Sequence, residues 1–276
     1  MVSMWRRSGA LWGRFVTCGG FATRLFGCSL IALSTARLVA ADAPLENTGS
    51  PMHVAFACAG DDLQAAGLSC SEDDPCRILL ELSGVETGAG RVFLAGNLHT
   101  SSTTLSSILL VTEDNGRTWR EAYPRIPYAA LDQIQFVDFQ HGWISGQNVQ
   151  SLARDPFLLA TDDGGVTWRE QPIFGEEQQP GAIQRFHFDS PKTATLLLDR
   201  GVGKRYELYR TTSGGATWEL LRADRDPIPF PGGSPSAASA WRIKADAQTS
   251  AWQIERNLGE IWHRIAAFST EAAVCR

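Results

Sequence analysis

The five histidines are where catalysis or metal binding would first be sought, and their spacing supports neither. His53, His99, His141, His187 and His263 are scattered along the chain, with no His-x-x-x-His or His-Glu-x-x-His pair that a helix could bring to one face. His141 reads as a residue of a turn between strands, and His187 as an outward residue on a strand. The acidic runs Asp61-Asp62 and Glu72-Asp73-Asp74 could attract calcium, but neither has the spacing of a ligand loop, so they read as solvated turns. No Gly-x-Ser-x-Gly elbow, phosphate loop or dinucleotide fingerprint occurs. The chemistry-bearing residues therefore imply no cofactor, no metal and no catalytic set.

Cysteines carry more information. The chain has 276 residues and six cysteines. Its N-terminus has the marks of a cleaved export signal. Arg6, Arg7, Arg14 and Arg24 precede an apolar run over residues 25–36, and small residues at 39–41 suit a signal peptidase. The run is well short of the roughly 20 residues that cross a bilayer as a helix. Residues 1–41 are thus expected to be removed, leaving one domain over 45–276 in the periplasm or outside the cell. The first 43 residues hold five Arg and one Asp, so 20 basic and 29 acidic residues remain, a net charge of −9. An acidic domain without a basic stripe repels phosphate backbones, which excludes nucleic acid as the expected partner. Cys58, Cys70, Cys76 and Cys275 survive processing. An even count in an exported chain suggests two disulfides, with three connectivities open. Cys70 and Cys76 are close enough for a local staple, and Cys58 with Cys275 would then tie the two ends of the domain together.

The elements that would position any site follow from a repeat. Three octapeptides stand out: Thr112-Glu-Asp-Asn-Gly-Arg-Thr-Trp119, Thr161-Asp-Asp-Gly-Gly-Val-Thr-Trp168 and Thr211-Thr-Ser-Gly-Gly-Ala-Thr-Trp218. A worn copy, Glu255-Arg-Asn-Leu-Gly-Glu-Ile-Trp262, keeps Asn257, Gly259 and Trp262. Self-similarity near this period belongs to arrays in which one unit cannot bury its apolar face alone. Asp114 and Asp163 have short side chains suited to accept backbone N–H groups inside a turn, Ser213 can make only part of that network, and Asn257 stands in the same position. Gly116, Gly165, Gly215 and Gly259 let the chain fold back. Trp119, Trp168, Trp218 and Trp262 anchor the returning strand, each indole N–H available to a partner. Around the turns, apolar residues alternate with period two, as at Ile134 and Phe136 or Phe186 and Phe188. One unit parses as strand A over 134–139, B over 143–146, C over 157–161 and D over 166–170. Neighbouring units run over about 78–122 and 183–221.

These octapeptides resemble the Asp-box, or bacterial neuraminidase, repeat. The segment Ile-Gln-Phe-Val-Asp-Phe-Gln-His-Gly-Trp-Ile-Ser-Gly at 134–146 is similar to exported propellers related to photosystem II assembly factors. The resemblance covers about residues 78–265 and implies an all-β β-propeller of four-stranded antiparallel blades. It is nearly silent on function, because such repeats occur in sialidases, sorting receptors and binding proteins alike. Sialidases carry an Arg-Ile-Pro motif on an early strand, before the first repeat. Here Arg125-Ile126-Pro127 follows the first repeat, and the remaining sialidase residues have no recognisable counterparts.

Five blades are favoured by length, with four as the alternative. The fifth would be composite, pairing residues 54–58 with 272–275, since a propeller protects its edges by closing its ring. A–B turns and octapeptides then share one face, and B–C and D–A loops share the other. The long loops draw attention to that second face. Asn97, His99, Gln147, Asn148, Arg154 and Arg200 on B–C loops, with Ile228 and Phe230 on a proline-rich D–A loop, are its candidate binding residues. The expected function is a non-catalytic, monomeric protein-binding or assembly module whose partner is another exported or membrane protein. The alternative is a sialidase-like glycoside hydrolase, and a glycan is a possible ligand.

Overall fold

Three hydrogen-bonded octapeptide turns set the fold's repeat. In the first, Asp114 Oδ1 accepts the N–H groups of Arg117 (3.0 Å) and Thr118 (2.9 Å), and Oδ2 accepts the Thr118 hydroxyl (2.6 Å). Thr112 Oγ1 accepts the N–H of Gly116 (2.9 Å). In the second, Asp163 accepts the N–H (2.9 Å) and hydroxyl (2.6 Å) of Thr167, and Thr161 Oγ1 accepts the N–H of Gly165 (2.8 Å). In the third, the single oxygen of Ser213 accepts the Thr217 N–H (2.9 Å). Each turn thereby satisfies donors that a tight reversal would otherwise leave unpaired.

The carboxylates of these turns titrate far below the ordinary aspartate range. The Thr118 hydroxyl foremost, then the Thr118 N–H, holds Asp114 down at about 2. Partial burial pushes Asp163 upward, but the Thr167 hydroxyl and N–H overcome it and bring this carboxyl also to about 2. A folded-state pKa below the unfolded one, near 3.9, gives stability that is fully present above about pH 4 and lost as pH falls through about 2. Acid unfolding should therefore steepen between pH 4 and 2, and Asp163→Ala should flatten that limb. At neutral pH the same substitution is expected to lower stability by about 1–3 kcal/mol, and Ser213→Ala by visibly less. Equal thermal midpoints for the two variants would contradict the turn roles.

The computed structural model describes residues 43–149, 155–174, 180–201, 203, 205–231 and 240–276. All of them belong to the unit Ala41–Arg276. Strand β1 (Leu45–Glu46) and the short helix α1 (Gly60–Ala65) precede blade 1, which comprises β2 (Cys76–Gly88), β3 (Arg91–His99), β4 (Thr104–Thr112) and β5 (Thr118–Tyr123). Blade 2 is β6 (Ala129–Phe136), β7 (Gly142–Asn148), β8 (Phe157–Thr161) and β9 (Arg169–Pro172). Blade 3 is β10 (Ala182–Phe188), β11 (Ala194–Asp199), β12 (Tyr206–Thr211) and β13 (Glu219–Asp224). Blade 4 contains β14 (Trp241–Asp246), β15 (Ala251–Asn257) and β16 (Trp262–Ser269), and β17 (Glu271–Cys275) ends the chain. Every blade is an antiparallel meander in chain order, the arrangement of a β-propeller.

The composite fifth blade does not form; the described residues make four sheets. Residues 54–58 form no strand, and β17 pairs with β2, placing Cys275 opposite Cys76. With β1 on β5, blade 1 grows to six strands in the order β1-β5-β4-β3-β2-β17. A five-residue end strand satisfies its backbone by completing an existing edge, which a two-stranded blade would do less well. Cys58–Cys275 joins positions 217 residues apart with a Cα–Cα distance of 5.4 Å, and Cys70–Cys76 is local at 5.3 Å.

Three apolar clusters fix the order of the blades. One joins blades 4 and 1 through Phe268, Ile254, Ile78 and Trp119. A second joins blades 1 and 2 through Phe93, Leu109, Ile144 and Trp168, and a third joins blades 2 and 3 through Trp143, Leu158, Phe186 and Phe188. Polar side chains reinforce these seams. Asn97 spans from blade 1 to both backbone groups of Leu131 (2.7 and 3.1 Å). Gln135 spans from blade 2 to both backbone groups of Phe188 (2.9 and 3.0 Å). Among the described residues no apolar cluster joins blade 3 to blade 4. The outer side of blade 3 is covered by its own following loop, where Ile228 packs on Leu197 and Leu208.

The turn glycines show the same order. A Cβ at Gly116 would meet Ile265 of blade 4 at 2.6 Å, one at Gly165 would overlap the Phe93 ring of blade 1, and one at Gly215 would approach Gln171 of blade 2 at 3.2 Å. Each turn packs against the blade before it. Gly259, in blade 4, faces nothing within 4 Å among the described residues.

The fourth copy is not a weakened version of the same turn. Asn257 Oδ1 is buried without a partner, so it does not take the aspartate's place. Gly259 (φ +62°) and Glu260 (φ +72°) both occupy the left-handed region, as the central residues of a type I′ hairpin do, and the Leu258 N–H donates to the Ile261 carbonyl (3.0 Å). Glu255 stands where the other copies have threonine and is held by Arg242 at 2.6 Å. The indole anchors also differ from expectation: Nε1 of Trp119, Trp168 and Trp218 is buried with no protein acceptor. Their rings are held by packing instead, as in the edge-on contact of Trp119 with Phe268 at 5.4 Å.

Candidate functional site

The loop-face residues expected from sequence are mostly structural. Asn97 and His99 lie in β3, and Gln147 and Asn148 in β7, because these strands run further than the period-two pattern suggested. Asn97 is buried in the seam to blade 2. His99 Nδ1 lies 2.8 Å from the Thr100 carbonyl oxygen, and Asn148 donates to the Asp155 carbonyl at 3.1 Å. Among the described residues Gln147 borders a small cleft between Ala130 and Ile183. Arg154 lies outside the described residues. Arg200 is clamped by Asp155 (2.9 Å) and Glu207 (2.8 Å), with its guanidinium over the Phe174 ring at 4.9 Å. Tyr209 donates to the same Glu207 (2.8 Å), and burial first, then that carboxylate, pushes its phenol up to about 12. This ionic cluster fastens blade 2 to blade 3. Ile228 is buried, and Phe230 lies beneath Arg185 at 5.7 Å.

Arg125 is equally occupied. Its guanidinium forms a fork with Glu121 (2.6 and 3.0 Å) and donates to the Ala55 carbonyl (2.9 Å). An arginine so neutralised has little left with which to grip a substrate carboxylate.

Among the described residues, two larger cavities are each walled by several blades. One of about 510 Å³ lies among β2, β6 and β10, with Phe230 at its side. It holds Glu86, a half-buried carboxyl whose pKa is raised foremost by burial, against the pull of the Thr87 N–H. Gln133 crosses its wall to the Gln184 carbonyl (2.7 Å). The larger, of about 800 Å³, opens on the octapeptide-turn face. It is bordered by the β2–β3 turn, by Asn115 of the first octapeptide, by Phe136 to Phe139 of blade 2, and by Ala240, Trp241 and Arg256 of blade 4. Its volume is in the range of ligand sites.

Chain similarity adds little to this geometry. No family model matches the chain, and no curated protein matches it. Among solved structures it is similar to YCF48 bound to D1 peptide, at 18% identity over 69% of this chain and 56% of that one, with a TM-score of 0.39. It is also similar to the GH74 xyloglucanase from Xanthomonas campestris, at 17% identity over 66% of this chain and 28% of that one, again with a TM-score of 0.39. The chain thus spans little more than half of one and under a third of the other.

The surface around the larger cavity is chemically unusual. Among the described residues the four most exposed large apolar side chains are Phe139 (80%), Ile261 (62%), Val166 (53%) and Leu258 (51%), and all four sit in turns of the octapeptide face. Phe139 is in the β6–β7 turn, which the Gly164 N–H ties to the neighbouring octapeptide through the Gln140 carbonyl (2.9 Å). Sequence reasoning looked to the opposite face because loop length was its only guide. The missed signal was the apolar pair Leu258 and Ile261, at positions where the other three copies carry Asn or Gly and Thr.

Proposed function

We propose that this chain is an exported protein-binding propeller whose contact face is the octapeptide-turn face. The observation that carries this reading is the gathering on that one face of the four most exposed large apolar side chains among the described residues, one of which, Phe139, lines a cavity of about 800 Å³. Exposed apolar groups are ordinary when scattered, but their concentration around a concavity is characteristic of interaction sites. Two disulfides accord with an oxidising compartment, and among the described residues no helix is long and apolar enough to cross a membrane. The glycoside-processing alternative rests on the resemblance of the octapeptides to neuraminidase repeats; Arg125, the one residue set in a sialidase-like motif, is paired with Glu121.

Affinity capture from the native cell envelope tests the reading. Wild-type protein should retain a partner that Phe139→Ser retains at least severalfold less, with unchanged thermal midpoint. A parallel screen with fluorogenic glycosides, sialosides included, should show no turnover. Robust hydrolysis abolished by a cavity substitution would replace this reading with the enzymatic one.

A further inference from the structure

The fourth turn breaks the pattern of its siblings in three respects at once. Its polar network is gone, with Asn257 Oδ1 buried and unpartnered. Its turn glycine meets no neighbouring blade among the described residues. Its two substituted positions, Leu258 and Ile261, are apolar and more than half exposed. A turn that simply decayed would not be expected to gain two solvated aliphatic side chains, because each offers nothing to the fold and favours aggregation.

The adjoining cavity wall supplies a charge. Arg256 immediately precedes the turn and lines the cavity with its guanidinium 5.5 Å from the Trp241 ring centre. Among the described residues its side chain has no ion pair or hydrogen bond, whereas the other charged side chains of this cavity are matched: Arg91 by Glu113 (2.8 Å) and Asp138 by His141 (2.9 Å). A half-buried cation stacked on an indole keeps its fork of donors directed at whatever enters, and that fork suits a carboxylate. Although the same turn carries the exposed Glu260 and the chain a net charge of −5, Arg256 offers an acidic ligand a local cationic partner at the cavity wall.

We propose that residues 256–262 and the adjoining cavity dock an extended segment of a partner protein bearing a carboxylate next to an apolar side chain. Arg256 takes the carboxylate, as an acidic side chain or a free C-terminus, and Leu258 and Ile261 cover the apolar neighbour. This rests on the protein-binding reading above and narrows it to one site and one class of segment.

The test uses ten-residue fluorescein-labelled peptides in two matched sets. One set carries Asp, Glu or a free C-terminus beside Leu, Ile or Phe; the other has Asn, Gln and an amidated C-terminus in their place. Fluorescence anisotropy should find binders in the first set that bind at least tenfold more weakly in the second. Arg256→Gln should erase that difference. Leu258→Gly with Ile261→Thr gives this turn residue types found in the other copies, so it should weaken binding about tenfold while the thermal midpoint holds or rises. Absence of any carboxylate preference, or wild-type affinity in both variants, overturns the proposal. Should an envelope partner be captured equally by wild type and by both variants, the site is wrong but the protein-binding reading stands. Capture of no partner by wild type removes that reading itself.

Discussion

Replacing Cys275 with serine is expected to lower the stability of the folded domain by about 5 kcal/mol, the chain-entropy value for a loop of this length. The bond it removes closes 217 residues of sequence, so the unfolded chain regains most of its freedom when the link is lost. Cys70→Ser opens a loop with a sequence separation of only 6, for which the same relation gives about 2 kcal/mol. The two bonds also differ in what they hold. Cys275 is buried on β17, opposite Cys76 on β2, in the same cluster that joins blade 4 to blade 1. Its loss therefore loosens the seam where the two ends of the repeat array meet, while the shorter bond secures a local segment. The denaturant midpoint of the Cys275 variant should be displaced from wild type about two to three times as far as that of the Cys70 variant. Equal displacements would mean that Cys58–Cys275 does not constrain the unfolded chain as the pairing requires, and peptide mapping under non-reducing conditions would settle the connectivity.

Much of this architecture is legible in the sequence, and the reasons are local. Three octapeptides carry their hydrogen-bonding logic in the residues themselves, so Asp114 and Asp163 can be placed in turns without any knowledge of their neighbours. Cysteine pairing was equally accessible, because Cys70 and Cys76 are close in the chain and the other two lie at opposite ends of an array. What the residues do not encode locally is less visible. Strand ends at Asn97 and Asn148 looked like loops because polar side chains there serve neighbouring backbone groups: Asn97 answers Leu131 of the next blade, and Asn148 answers Asp155. Arg200 reads as available for ligands because its partners, Asp155 and Glu207, are brought to it only by the fold. The destination of β17 depended on an open edge at β2, which no feature of residues 272–275 announces. Leu258 and Ile261 were visible all along, but they read as erosion until the turn containing them proved exposed.

Gly165→Ala should destabilise the protein by about 3 kcal/mol, and Gly259→Ala by only about 1 kcal/mol, although both replace a glycine at the same place in the repeat. Both backbones occupy the left-handed region, with φ of +82° and +62°, so either substitution forces alanine into a conformation that costs about 1–2 kcal/mol. Packing separates them. A methyl group at 165 would overlap the ring of Phe93, which is fully buried and wedged between Phe136 (5.2 Å) and Trp168 (5.7 Å). That ring cannot retreat without disturbing the seam between blades 1 and 2, and overpacking of this kind adds about 1–3 kcal/mol. At 259 no described residue lies within 4 Å, so only the backbone strain remains. Thermal or denaturant unfolding of the two variants reads the difference directly. Comparable losses would mean that Gly259 is packed as its counterparts are, and with that the openness of the fourth turn, on which its exposed Leu258 and Ile261 depend, would be gone.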